Sequence, residues 1–244
     1  MIQIINMKKN YGKNEVIKGF DLKIEKDSLI GIIGANGSGK TTLINCILGL
    51  IPYSGEIKYD DNLYLSDGGK NIAYVPDELL LPAKLTGTEY IQFIMAMYSC
   101  QNYHLLDKLL ELYDMTSNVD RLIETYSFGM KKKLQLISAF VLKTSLIILD
   151  EPFRGLDIES VLITKKLIKN AIRDCAVFLS SHELGSIENL CSRVIILYNG
   201  KKLVDDNPRK IIKDNHVKNL EEFLLSKVVD AERGKKIDEI ISGI

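Results

Sequence analysis

The sequence lacks three features that would quickly assign it to a class of protein. No apolar run reaches the roughly 18 residues that a membrane-spanning helix needs, and the first segment, MIQIINMKKNYGK, has no long apolar leader region. Net charge is also missing, because 32 Lys and Arg balance 32 Asp and Glu. No overall positive field therefore attracts nucleic acid or an anionic membrane, and we expect neither a membrane span nor direct nucleic-acid binding.

Paired cysteines are the third absence. The four cysteines, Cys46, Cys100, Cys175 and Cys191, are scattered without a CxxC pair. Disulfide and zinc frameworks both depend on characteristic spacings, so we expect reduced thiols and a cytoplasmic protein. The 244 residues, 46% of them hydrophobic, are enough to bury a substantial core.

Short β-branched runs alternate with helical patterns along most of the chain. The strand-like runs are LIGII, SLIILDEP, AVFLSSH and RVIILYNGK, and a helical pattern follows each of the first three. This order predicts an α/β fold with a mainly parallel sheet. The residues before LIGII alternate roughly between apolar and polar and contain turn residues, which predicts an antiparallel β layer.

Two helical regions complete the organisation. About residues 79–136 carry apolar residues at three- and four-residue spacing, which predicts an inserted α-helical subdomain within a main domain over residues 1–205. Residues 206–244 are charged and amphipathic and predict a C-terminal helical tail.

The stretch GANGSGKTT lies between the first strand-like run and a helical pattern and fits the spacing G-x-x-x-x-G-K-[ST]. Glycines let successive backbone N–H groups converge on phosphate oxygens at the positive end of the helix. Lys40 then reaches the outer phosphates, and the Thr41 hydroxyl ligates Mg²⁺. The predicted phosphate-binding residues are Gly34, Ala35, Asn36, Gly37, Ser38, Gly39, Lys40, Thr41 and Thr42.

Two acidic residues follow the strand-like run SLIIL. We predict that Asp150 holds Mg²⁺ and that Glu151 polarises the water that attacks the terminal phosphate. A second run, AVFLSS, ends at His182, whose ring could hydrogen-bond the developing charge on that phosphate and orient water. Without the phosphate loop, the acidic pair would be a turn and the histidine a residue at a strand end.

Six motifs occur in an order that resembles the ATP-binding cassette (ABC) ATPases: Tyr11, GANGSGKTT, YSFGM, IILDEP, GLD and SSH. The resemblance runs from Ile2 to about Asp205. It implies a P-loop NTPase fold with a RecA-like core, and ATP and Mg²⁺ as ligands. It also implies that Tyr11 stacks on adenine and that Asp157, in the D-loop, lies between two ATPase subunits.

The same resemblance identifies YSFGM as the signature motif, which binds the ATP of the opposite subunit. Its contact residues would be Ser127, Phe128, Gly129 and Met130. The usual motif is LSGGQ, so Phe128 and Met130 are departures. Taken alone, the motif would be an ordinary helix N-cap followed by a solvated face at residues 131–133. A larger departure is Asp77, where the family has the Q-loop glutamine that touches Mg²⁺, because a shorter acidic side chain reaches the metal only through water.

The resemblance implies the ATP-hydrolysing subunit of an ABC transporter, peripheral on the cytoplasmic face of the membrane and partnered by a separate permease and a second ATPase subunit. The single cassette, YSFGM and the segment PDELLLPAKLTGTEYI resemble the exporter branch. A soluble ABC ATPase that remodels a nucleic-acid or ribosomal complex is the first alternative, although the chain has no basic footprint. A small-molecule kinase is the second, although it leaves YSFGM and SSH without a role.

Overall fold

The computed structural model describes residues 2–60 and 71–228, and the chain begins with an antiparallel layer. Strands β1 (Ile2–Tyr11) and β2 (Asn14–Ile24) form a hairpin, and β4 (Ser54–Tyr59) pairs with the other edge of β1. Phe20, Leu22 and Ile24 of β2 are buried while the residues between them are exposed, so this sheet buries one face.

The second sheet contains β3 (Leu29–Ile33), β5 (Ile72–Val75), β6 (Leu146–Asp150), β7 (Ala176–Ser180), β8 (Arg193–Tyr198) and β9 (Lys201–Asp206). Its order is β5-β6-β7-β3-β8-β9, and every neighbouring pair is parallel except β8 with β9. All five residues of β3, β6 and β7 are buried, as expected where both faces of a sheet are covered. Asp150 pairs with Ser180 in this register, so the polar ends of two strands meet at one edge.

Helix α1 (Lys40–Leu48) follows β3 and packs between the two sheets. Leu43 and Ile47 of this helix share a core cluster with Phe20 of the antiparallel layer and Ile32 of the parallel sheet. The later helices of the main domain are α5 (Ile158–Ala171) and α6 (Leu184–Leu190). This layering confirms the predicted α/β fold with a mainly parallel sheet and an antiparallel β layer.

Three helices lie between β5 and β6. They are α2 (Gly87–Met97), α3 (Tyr103–Leu112) and α4 (Phe128–Phe140), with a short 3₁₀ helix, Ile123–Thr125, before α4. Thr86 starts α2 with a capping box, because its hydroxyl accepts from the Glu89 N–H and the Glu89 carboxylate accepts from the Thr86 N–H. The region predicted to be helical therefore contains these helices, although residues 79–86 and 113–122 are not helical, and α4 continues past residue 136. The subdomain boundaries at 79–136 stay a prediction.

The described part of the predicted tail contains α7 (Pro208–Asp214) and α8 (Leu220–Val228), and its first residue, Asp206, still belongs to β9. Residues 229–244 of that prediction lie outside the described part of the chain. Among the described residues, no helix has both the length and the apolar character needed to cross a bilayer.

Candidate active site

The loop GANGSGKTT joins the carboxyl end of β3 to the start of α1. Gly39 has φ +107° at the N-cap of α1, a left-handed conformation that glycine adopts without a steric penalty. The α1 N-terminus therefore points its unpaired backbone N–H groups into the space above the sheet edge. The Ser38 hydroxyl is buried in the loop, 5% exposed, and has no hydrogen-bond partner. A loop with free N–H donors and an unpaired hydroxyl fits an oxygen-rich anion.

Lys40 is the buried cation of this loop. Its Nζ donates to the Gly34 carbonyl oxygen at 2.6 Å and to the Ala35 carbonyl oxygen at 3.3 Å. Burial lowers the pKa of Lys40, while the nearby Glu151 and Asp150 carboxylates raise it. Two neutral carbonyl oxygens thus hold the Lys40 ammonium over the loop. Phosphate oxygens can take their place, because their charge makes stronger hydrogen bonds with the ammonium.

A pocket of about 400 Å³ opens over the loop. Most of the predicted phosphate, metal and catalytic residues line it, together with two residues from β2. The lining residues are Asn14, Val16, Asn36, Gly37, Gly39, Lys40, Thr41, Thr42, Asp77, Asp150, Glu151 and His182.

Asp150 faces the loop from the end of β6. The Thr41 hydroxyl lies 3.4 Å from its Oδ2, and the Ser180 hydroxyl donates to its Oδ1. Asp150 is 3% exposed, so Ser180 fixes the orientation of a carboxylate that water hardly reaches. A hydroxyl and a carboxylate beside a phosphate site are the protein ligands that Mg²⁺ takes, since it binds one or two carboxylates with waters and phosphate oxygens.

Glu151 and His182 form a contact pair at the same edge. Glu151 Oε2 accepts from the His182 backbone N–H at 3.1 Å, and Oε1 lies 3.3 Å from the His182 Nε2. Apart from this contact with the His182 ring, the buried Oε1 has no hydrogen-bond partner, so it keeps acceptor capacity for a water molecule. The Glu151 N–H donates to the Ser180 carbonyl oxygen at 3.2 Å, which holds the residue in a left-handed conformation, φ +49°.

Comparison with known proteins decides the family. The profile of the ABC transporter family matches residues 17–154, more than half of the chain. The chain belongs to this family. Its relatives include two Bacillus subtilis proteins: the uncharacterized ABC transporter ATP-binding protein YhaQ is 31% identical, with 90% of this chain and 76% of YhaQ covered. The linearmycin resistance ATP-binding protein LnrL is 33% identical, with 83% of this chain and 68% of LnrL covered.

A third relative agrees with this assignment, and a solved structure has the same fold. The bacitracin transport ATP-binding protein BcrA of Bacillus licheniformis is 30% identical, with 93% of this chain and 75% of BcrA covered. The structure of an ATP-binding subunit of an ABC transporter matches the fold with a TM-score of 0.85 at 24% identity, covering 93% of this chain and 98% of the other. This ABC protein is therefore an ATP-binding, ATP-hydrolysing transporter subunit, which is favoured over a soluble remodelling ATPase.

The predicted signature residues of this ABC subunit lie at the start of α4 and do not line its own pocket. Ser127 is the N-cap, and its hydroxyl accepts from the Met130 N–H at 3.2 Å. Phe128 is 47% exposed, and its ring lies against Gly155, where a β-carbon would overlap it. A β-carbon added at Gly129 would lie 3.0 Å from the Gly155 carbonyl oxygen.

The predicted D-loop residue is the N-cap of α5. The Asp157 carboxylate accepts from the Ser160 N–H at 2.7 Å and lies 3.1 Å from the Lys133 Nζ. The Ser160 N–H, followed by Lys133, lowers the pKa of Asp157 to about 2. The Lys133 contact and the Phe128–Gly155 contact both join the signature helix to the D-loop within one chain.

Tyr11 and Asp77, predicted to contact adenine and Mg²⁺, have surroundings that the sequence did not indicate. Tyr11 is half-exposed at the end of β1, outside the pocket lining, and the Lys9 Nζ lies 4.7 Å from the centre of its ring. Asp77 lines the pocket, but both of its carboxylate oxygens accept from Arg154 Nη1, at 3.0 and 2.9 Å. The structure thus brings Asp77 to the pocket already paired with Arg154.

The alternative of a solvated face at residues 131–133 is wrong for Lys132, which is 0% exposed. Its Nζ donates to the Pro76 carbonyl oxygen at 2.9 Å and to the Asp150 carbonyl oxygen at 3.4 Å. Burial lowers the pKa of Lys132 to about 8, while the carboxylates around the pocket raise it. The helical period offered a signal, because Lys132 precedes the buried Leu136 by four residues and Ala139 by seven.

Sequence reasoning also missed Asn14, Val16 and Ser180. Ser180 could have been found, since it occupies the last position of a buried strand beside the strand that ends at Asp150. Asn14 and Val16 carry no motif, and only the packing of the antiparallel layer over the loop brings them to the pocket.

Proposed function

We propose that two ATPase subunits meet head to tail, with each ATP held between the phosphate loop of one and the signature motif of the other. This proposal rests on the separation of the phosphate-loop pocket from the start of α4. Ser127 and Gly129 lie at the N-terminus of α4, where free N–H groups can bind an anion, yet neither residue lines the pocket of its own chain. Two exposed apolar residues beside the D-loop support this contact: Ile158 and Leu162 lie one turn apart on α5 and are 92% and 53% exposed. The second ATPase subunit would be a copy of this chain, in a homodimer, or a related chain, in a heterodimer.

Mg²⁺ fits the donor set that the structure presents. The Thr41 hydroxyl and the Asp150 carboxylate would hold it, with Ser180 keeping Asp150 in orientation. When bound, the ion would neutralise charge on the phosphate oxygens.

Glu151 is the residue that we assign to the attacking water. Its buried Oε1, which makes no hydrogen bond and contacts only the His182 ring, would accept a proton from water as the water oxygen bonds to the terminal phosphorus and the bridging P–O bond breaks. His182 would hold the carboxylate in place through its backbone N–H and would face the phosphate with its ring. Lys40 would move from the loop carbonyls to the outer phosphates.

A separate membrane permease is the proposed partner, which places the subunit on the cytoplasmic face of the membrane. The helical region supports such a partner, since it exposes large apolar side chains: Leu80, Phe93 and Met97 are each more than half exposed. Phe93 and Met97 lie four residues apart on one face of α2. Export is the proposed direction, because LnrL is named for linearmycin resistance and BcrA for bacitracin transport.

The test is ATP hydrolysis per subunit measured against protein concentration, with Glu151→Gln, Ser127→Ala and Glu111→Gln compared. Glu111 is an exposed residue of α3, so its variant is the matched control and should keep wild-type turnover. We expect the rate per subunit to rise with concentration, and turnover to fall by about 100-fold or more in Glu151→Gln while ATP binding is retained.

Two results would contradict the proposal. An active monomer, confirmed by sizing and indifferent to Ser127→Ala, would exclude the shared site. Normal hydrolysis in Glu151→Gln would remove that residue from its assigned role.

A further inference from the structure

The segment of residues 76–78, which carries Asp77, is fastened to the signature helix on both sides of that residue. Lys132 Nζ donates to the Pro76 carbonyl oxygen at 2.9 Å, and Gln135 Nε2 donates to the Glu78 carbonyl oxygen at 3.0 Å. Lys132 and Gln135 are buried and lie one turn apart on α4, so the backbone of this segment follows α4.

The side chain of Asp77 reaches across to the loop that follows Glu151. Arg154 Nη1 donates to both Asp77 oxygens, and the Arg154 backbone N–H donates to the Glu151 carbonyl oxygen at 3.3 Å. One arginine therefore holds Asp77 with its side chain and Glu151 with its backbone. Lys132 adds a parallel connection, because it also donates to the Asp150 carbonyl oxygen at 3.4 Å.

We infer that Asp77 and Arg154 form a positioning pair, through which the signature helix and the segment of residues 76–78 set the position of the Glu151 loop. Asp77 then acts as the partner of Arg154 rather than as a ligand of Mg²⁺. This inference rests on the proposed hydrolytic role of Glu151. A movement of α4 would therefore shift the Glu151 loop through the side chains of Asp77 and Arg154, which belong to the same chain.

The pair can be removed without unfolding the protein. The side chains of Asp77 and Arg154 are 33% and 63% exposed, and ion pairs with that exposure contribute little to stability. The melting temperature of Asp77→Asn or Arg154→Gln should therefore stay within about 2 °C of the wild-type value. A loss of activity in these variants then reports on position and not on folding.

The experiment is a double-mutant cycle on kcat with Asp77→Asn, Arg154→Gln and the double variant. We expect each single change to lower kcat by about tenfold with little change in KM for ATP, and the double variant to lose no more than either single one. The Mg²⁺ concentration needed for ATP binding, measured in a Glu151→Gln background, should be the same with and without Asp77→Asn. Lys84→Gln, which breaks the exposed Lys84–Glu124 ion pair, is the matched control and should keep wild-type kcat.

Three results would overturn the inference. Wild-type kcat in Arg154→Gln would show that the pair has no role, and multiplying losses in the double variant would show that the two residues act independently. A higher Mg²⁺ requirement in Asp77→Asn but not in Arg154→Gln would make Asp77 a metal ligand. A wild-type chain that does not hydrolyse ATP would contradict the proposed function itself. If the wild-type chain hydrolyses ATP and one of the three results above is found, only the inference about Asp77 and Arg154 fails.

Discussion

Replacing Ser180 by alanine should weaken both the fold and the metal site. The Ser180 hydroxyl is fully buried and donates to Asp150 Oδ1, and it also accepts from the Glu151 N–H at 3.3 Å. A hydrogen bond to a charged group contributes about 1.5–3 kcal/mol, and the buried carboxylate would be left without it. For a chain of this length, about 2 kcal/mol corresponds to a fall in melting temperature of roughly 4–8 °C. The alanine leaves almost no cavity, so the loss is that of the hydrogen bond.

The functional part of this prediction concerns Mg²⁺. Without Ser180, the Asp150 carboxylate can rotate away from Thr41, and the half-saturating Mg²⁺ concentration should rise about tenfold or more. Thermal melts and Mg²⁺ titrations of ATP hydrolysis would measure the two effects. Ser138→Ala is the matched control, since that buried serine donates to the Gln135 carbonyl oxygen within α4. A Ser180→Ala variant that keeps both the wild-type melting temperature and the wild-type Mg²⁺ requirement would refute the reasoning.

Two further predictions concern the contact between the D-loop and the signature motif. Gly155→Ala should lower the free energy of unfolding by about 1–2 kcal/mol, because φ is +74° at Gly155 and the new β-carbon would also displace the Phe128 ring. Thermal melts of the double variant with Phe128→Ala should recover only the part of this loss that comes from the clash with the ring. Asp157 has a folded-state pKa of about 2, below its ordinary 3.8, so its contribution is complete above about pH 5 and is lost as the pH falls through the folded-state pKa, to about pH 1. The difference in melting temperature between the wild type and Asp157→Asn should therefore shrink across that window, and a constant difference would contradict this assignment.

The motifs predicted much of the candidate site because they report on local geometry. A buried strand, a glycine loop and a helix in succession place Lys40 and Thr41 whatever the rest of the chain does, and buried parallel strands bring Asp150 and Glu151 to the same edge. Residues that act across elements were harder to predict. Lys132 was grouped with two partly exposed lysines, although it lies beneath the pocket, and Arg154 carried no signal of its own.

The sequence by itself determined the class of fold, the phosphate loop and the family, since these depend on spacing, burial pattern and the order of short motifs. Only the tertiary structure decided which charges meet. Asp77 and Arg154 are 77 residues apart, and Thr41 and Asp150 are 109 residues apart. Spacing along a chain carries no information about such distances, because they are set by how strands align in the sheet and how α4 packs beneath its edge.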